Sequence, residues 1–142
     1  MGKNFIAKSS ILIDAPPSQV WEALTNPKMI KQYLFGTDAI SDWKVGNPII
    51  YRGIWNGKSY EDKGTILSVV PEKLLVSTYW SSMSGLADSP ENYKKVTYQL
   101  TLENNQTMLT ISNDNNATKE DRDHSAKNWD MVLSALKKLL EK

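Results

Sequence analysis

Between residues 47 and 113, apolar and polar side chains alternate in six short stretches. The chain then enters one amphipathic run in which Trp129, Val132, Leu133, Leu136, Leu139 and Leu140 share a face. The first pattern has the two-residue period of half-buried strands, the second the 3.6-residue period of a helix. A helix with one apolar stripe must lay it on something, and the C-terminal half holds no second helical run to receive it. The sheet itself is the surface left. The pattern therefore predicts an α+β fold in which a long C-terminal helix grips a β-meander. A curved sheet closed by such a helix encloses room for a small molecule.

The segment 4–13 (NFIAKSSILI) predicts a first strand, stopped by Asp14-Ala15-Pro16-Pro17. Proline fits a first helical turn, where its missing N–H would be unpaired anyway, so a helix capped by Asp14 or Ala15 is expected through about Thr25. Asn26-Pro27 breaks it, and Pro27 opens a second short helix with Met29, Ile30, Tyr33 and Leu34 on its apolar side, ending at Gly36. Asn56-Gly57 suits the two positive φ angles of a type I′ turn and joins strand 49–55 to one beginning near Lys58. Turns at 70–73 and 103–106 separate strand 64–69 from 74–80 and strand 95–102 from 107–113. Such short connections make the sheet antiparallel. The one long connection, 81–92 (SSMSGLADSPEN), offers Met83 and Leu86 as residues able to reach over a cavity mouth as a lid. Thr118 to Asp121 resembles a capping box, which opens a helix over 118–140, about 35 Å long.

Inward faces follow from the alternation. Val96, Tyr98, Leu100 and Leu102 form one apolar set, continued by Leu109 and Ile111 on the next strand. In 74–80 the more apolar set is Leu74, Val76, Thr78 and Trp80; in 49–55, Tyr51 and Trp55 are favoured over Ile50 and Ile54. The expected ligand-binding residues are therefore Tyr33, Tyr51, Trp55, Val76, Trp80, Tyr98, Leu100, Ile111, Trp129 and Leu133. Inward phenols at Tyr33, Tyr51 and Tyr98 need hydrogen-bond partners, which water or a ligand in a pocket supplies. The same aromatics would serve equally as core filling, and Trp129 as the anchor that seats the helix.

The stretch IDAPPSQVWEALTNP (13–27) resembles the opening of the START-like, or Bet v 1-like, superfamily, specifically of bacterial proteins related to the activator of heat-shock protein 90 ATPase. WDMVLSALKKLLE (129–141) is similar to their terminal helix, and GTIL (64–67) and VTYQLTL (96–102) match the intervening strands in character. The resemblance spans the chain and implies one helix-grip domain over 1–142: a strand, two short helices, six further strands and a long helix closing a hydrophobic cavity. It also implies two alternatives to ligand binding, a co-chaperone-like interaction module and a cyclase- or hydrolase-type enzyme. In eukaryotic co-chaperones another domain precedes this one, and no counterpart lies within these residues, so chaperone contact ranks second.

Composition narrows the chemistry. With 142 residues, 40% of them apolar, the chain suits one domain with one substantial core. Its 17 Lys and Arg against 16 Asp and Glu give no electrostatic reason to expect nucleic acid. Cysteine is absent, which excludes disulfides, thiol nucleophiles and thiolate metal sites. No run approaches the ~18 apolar residues of a membrane span, and MGKNFIAKSS lacks a signal-length apolar stretch, so a cytoplasmic protein is expected. His124 follows Glu120, Asp121 and Asp123, but only Glu120 shares its helical face, and a solvated first turn explains all four without a metal. No Gly-x-Ser-x-Gly motif accompanies it. Catalysis would fall to a group with a shifted pKa, for which Arg52, Glu61 and Asp62 are candidates by position alone. The expectation is a monomeric binder of a lipid-like or polycyclic aromatic molecule, without cofactor, metal or chemistry of its own.

Overall fold

The structure is a computed structural model that describes residues 5–34, 36–55, 57–82, 85–116 and 118–141, Trp55 by its backbone alone. The elements run β1 (Phe5–Ile13), α1 (Pro17–Thr25), α2 (Pro27–Tyr33), β2 (Asp38–Ile40), β3 (Pro48–Trp55), β4 (Lys58–Val70), β5 (Leu74–Ser81), a 3₁₀ turn (Pro90–Asn92), β6 (Lys94–Glu103), β7 (Gln106–Asn116) and α3 (Lys119–Leu140). The strands form one antiparallel sheet in the order β1-β7-β6-β5-β4-β3-β2, so the first strand lies beside the last. This is an α+β helix-grip arrangement with α1 and α2 inserted between β1 and β2.

The total of seven strands is reached differently from the sequence expectation. Between 47 and 113 there are five strands, because Lys58–Val70 is one continuous 13-residue strand rather than two pieces; the seventh is the short β2. Gly64 does not break β4. It faces inward where a Cβ would lie 1.7 Å from the carbonyl oxygen of Thr78, so β4 and β5 approach each other there in a way only glycine permits. A bulge between Ile66 and Ser68 bends the same pair.

Caps and turns are local. Pro16, with φ −71° and ψ 158°, precedes α1 without a side-chain cap, so neither Asp14 nor Ala15 caps that helix. The Asp14 N–H instead donates to Glu141 Oε2 at 2.7 Å, tying the end of β1 to the end of α3. Asn26 Oδ1 accepts from the Lys28 N–H, and Thr118 Oγ1 from the Asp121 N–H, each at 3.0 Å. Asn104 and Asn105 both take positive φ and turn β6 into β7. Gly57 has φ +78°, while Asn56 lies outside the described residues.

The main core joins Ile13, Val20, Leu24 and Ile30 to Leu100, Leu109 and Ile111 of the sheet and Leu133 and Leu136 of α3. Each fully buried leucine or isoleucine contributes roughly 1.5–3 kcal/mol. A smaller cluster of Ile49, Ile66 and Leu75 lies beneath β3, β4 and β5. Val96, Leu100, Leu109 and Ile111 are buried as the alternation requires, but Leu102, at the sheet's end, is exposed. On β5 the faces are the reverse of the sequence expectation. Leu75 and Ser77 point in, whereas Trp80 is on the outer face, stacked on Tyr93 with Lys63 over its ring.

Two stability predictions follow from this packing. Gly64→Ala forces backbone apart and should cost more than the roughly 1–3 kcal/mol usual for overpacking, read from urea unfolding. Trp129 is only partly buried, and its Nε1–H donates to Asn113 Oδ1 at 2.8 Å. Trp129→Phe keeps most of the apolar contact but orphans that oxygen, so a loss of about 1–3 kcal/mol is expected in the same measurement.

Candidate ligand cavity

A cavity of about 490 Å³ lies between the sheet, α2 and α3. Its aliphatic wall comes from Leu24 of α1, Val96 of β6, Ile111 of β7, and Val132 and Leu136 of α3. Exposed Ile54 and Asn128 are also in its lining, so the cavity reaches the surface. At Gly53 a Cβ would stand 2.5 Å from the Tyr60 hydroxyl, so the Tyr60 side chain lies against the Gly53 backbone. That hydroxyl is hydrogen-bonded to Thr37 Oγ1, which closes the end next to α2.

Phenols dominate the polar lining: Tyr33, Tyr51, Tyr60, Tyr79 and Tyr98 all reach it. Strand register places Asp62 between Tyr51 and Ser81, and Tyr79 opposite Lys94. The Tyr79 hydroxyl donates to Asp62 Oδ2 at 2.8 Å, while Asp62 Oδ1 is shut off from solvent with no hydrogen-bond partner. At the other end Lys94 Nζ donates to Asn116 Oδ1 at 2.7 Å, and Ser125 Oγ donates to the same oxygen at 3.1 Å. Tyr98 meets Trp129 edge to face, ring centres 6.1 Å apart.

Burial sets the charge states. It pushes the Tyr33 and Tyr51 phenols far above their usual range, reinforced by neighbouring Tyr98, and drives Tyr98 up to about 12. Tyr79 rises through burial and then through the Asp62 charge beside it. The Asp62 carboxyl is raised by burial, which the Ser81 and Tyr79 hydroxyls partly oppose, and burial lowers Lys94. The cavity thus favours the neutral form of each of these groups.

Residues 14–141 match the family described as activator of Hsp90 ATPase homolog 1-like protein. The chain belongs to that family. It is similar over 99% of its length, and 97% of the other chain, to the solution structure of ChR145 from Cytophaga hutchinsonii, at 45% identity and a TM-score of 0.86. The Aha1 dimer from Colwellia psychrerythraea shares the fold at 22% identity and a TM-score of 0.74, over 96% of each chain. DynU16, a protein of the dynemicin biosynthetic locus, shares it at 19% identity and a TM-score of 0.79, over 96% of this chain and 47% of that one. No curated protein matches the chain.

Within this member of the Hsp90-activator-like family, Tyr33, Tyr51, Tyr98, Ile111 and Trp129 come together around the cavity. Leu100 and Leu133 are buried in the core behind the lining. Val76 and Trp80 sit on the other face of β5, outside the lining, because the inward positions there are the more polar Ser77, Tyr79 and Ser81. The Trp55 side chain and Met83 lie outside the described residues. Leu86 is exposed and does not line the cavity; its carbonyl accepts from Trp80 Nε1 at 3.3 Å, on the outer face. The inward positions of β4 and β5, Tyr60, Asp62, Ser77, Tyr79 and Ser81, were absent from the sequence-derived binding set. Reversing the face of β5 would have selected Ser77, Tyr79 and Ser81, whereas Tyr60 and Asp62 are placed by the register of β4 with its neighbours. Arg52 and Glu61 pair with each other at 2.9 Å and are not in the lining. His124 is exposed, and among the described residues no cluster of His, Cys, Asp and Glu is placed to hold a metal. No helix among them is long and apolar enough to cross a membrane.

The raised phenols give a pH prediction with a definite sign. Unfolded tyrosines ionise near pH 10, while Tyr33, Tyr51, Tyr79 and Tyr98 hold their protons to higher pH in the fold. Above about pH 10 the unfolded state therefore binds fewer protons, and stability falls as pH rises. Absorbance at 295 nm should show Tyr33, Tyr51 and Tyr79 ionising only as the fold is lost. Full ionisation of all six tyrosines with an intact circular dichroism spectrum would contradict this.

Proposed function

We propose that the protein binds an apolar or amphipathic small molecule, with a lipid-like or polycyclic aromatic body, between the sheet and α3, without chemistry of its own. The observation that carries this reading is the cavity itself: about 490 Å³, walled by aliphatic side chains and rimmed by phenols. Ligand pockets commonly measure roughly 300–1,000 Å³ and combine apolar walls with a few polar groups. Family membership supports the fold around the site and leaves the ligand to be read from the lining. A single-domain, monomeric, cytoplasmic protein without cofactor belongs to the same reading.

One observation favours a second reading, cyclase- or hydrolase-type chemistry: Asp62 and Tyr79 are bonded to each other inside the cavity. A carboxyl raised by burial is a better base near neutral pH than an ordinary aspartate. The co-chaperone reading draws less support from the surface. Large exposed apolar residues such as Ile6, Val45, Leu102 and Met131 are spread over β1, the segment before β3, β6 and α3.

Val132→Trp tests the container reading, since it adds bulk from α3 into the cavity without touching the sheet. A naphthalene fluorophore titrated into the wild type should show saturable binding, weakened at least tenfold in Val132→Trp, with little change in the urea midpoint. Equal affinity in both proteins would remove the cavity as the binding site.

A further inference from the structure

Among the described residues Asp62 is the one carboxylate in the cavity lining. Among the described residues it takes part in no salt bridge. Two cations on the neighbouring strand positions are committed elsewhere. Arg52 pairs with Glu61 at 2.9 Å, and Lys63 pairs with Asp88 at 2.6 Å while lying over Trp80 on the outer face. Lys94 lines the cavity too, but its Nζ donates to Asn116 Oδ1. Tyr79 satisfies Oδ2, which leaves Oδ1 as the one buried side-chain oxygen or nitrogen without a partner among the described residues. Leaving such an atom unpaired is costly, and a donor that also carries positive charge would offset both the missing hydrogen bond and the buried charge. The surroundings suit a cation further. Tyr51 is the cross-strand partner of Asp62, and Tyr79 and Tyr98 lie in the same lining, so electron-rich rings surround the carboxylate.

We infer that the ligand is an amphipathic amine, whose protonated nitrogen donates to Asp62 among the phenols while its apolar body lies along Ile111, Val132 and Leu136. This rests on the container reading and adds the chemical class of the ligand. Lys94 does not define an anion site instead, because Asp114 and Asp121 act on it electrostatically and would repel a ligand carboxylate.

Calorimetric titration with decylamine, 1-decanol and decanoate separates the two levels of the argument, because the three share a chain and differ in the head group. The wild type should bind decylamine at least tenfold more tightly than 1-decanol, with decanoate weakest. Asp62→Asn should bring decylamine down to the level of 1-decanol and leave 1-decanol unchanged. Tyr79→Phe, which frees Oδ2 for the ammonium, should keep or widen the preference for the amine and serves even if Asp62→Asn fails to fold. Equal or tighter binding of the alcohol or the acid by the wild type would overturn the amine assignment. So would an amine preference that survives in Asp62→Asn or one lost in Tyr79→Phe. If the naphthalene fluorophore binds and decylamine does not, the amine assignment alone falls. If neither binds, the container reading falls and takes the amine assignment with it.

Discussion

The inner face of this sheet is broader than one helix can cover, and most features of the molecule follow from that mismatch. The α3 helix packs chiefly on β1, at the edge where the chain's first and last strands meet. Its buried leucines, Leu133 and Leu136, complete the main core there, while Ile49, Ile66 and Leu75 form a separate small cluster under β3 to β5. The span between carries the side chains of Tyr51, Tyr79 and Tyr98, which line the cavity. Gly64 lets β4 and β5 draw together as the sheet curves. A cavity is what remains when a curved sheet is gripped along one side.

Holding such a space open requires the helix to be fixed by something other than apolar packing over the gap. Asn116, fully buried, accepts from Lys94 and Ser125 and donates to the Phe5 carbonyl, so one amide links β1, β6, β7 and α3. Asn113 adds the bond from Trp129, and Lys137 Nζ reaches the Leu12 carbonyl at 2.7 Å. Net contributions of roughly 0.5–1.5 kcal/mol per hydrogen bond are modest, yet these bonds are directional. They set the position of α3 on the strands without filling the volume beside it. A satisfied polar network of this kind specifies one arrangement where apolar contact alone would tolerate several.

The same construction explains why family membership and function are separate questions here. Fold and topology are shared with proteins whose descriptions range from an Aha1 dimer to a member of a dynemicin biosynthetic locus. What differs between containers of one shape is the lining. Among the described residues it combines aliphatic walls with five phenols and a single carboxylate, and that combination carries the functional proposals.

Helix positions, the inward faces of β6 and β7 and the element order apart from β2 and the continuity of β4 were determined by the sequence alone, because each depends on local rules: proline in a first turn, period-two alternation, and the Thr118 cap. Tyr33, Tyr51, Tyr98, Ile111 and Trp129 were legible as cavity residues for the same reason. The face of β5 was not. Alternation assigns the more apolar side to the interior, but a strand lining a partly polar cavity turns Ser77, Tyr79 and Ser81 inward and leaves Val76 and Trp80 outside. Nor could Asp62 be singled out from Arg52 and Glu61, since its burial, its bond to Tyr79 and its unpaired oxygen exist only once β3, β4 and β5 stand side by side. Local periodicity decides which elements form. The environment of a side chain inside a cavity is decided by residues distant in sequence, and tertiary structure alone brings those together.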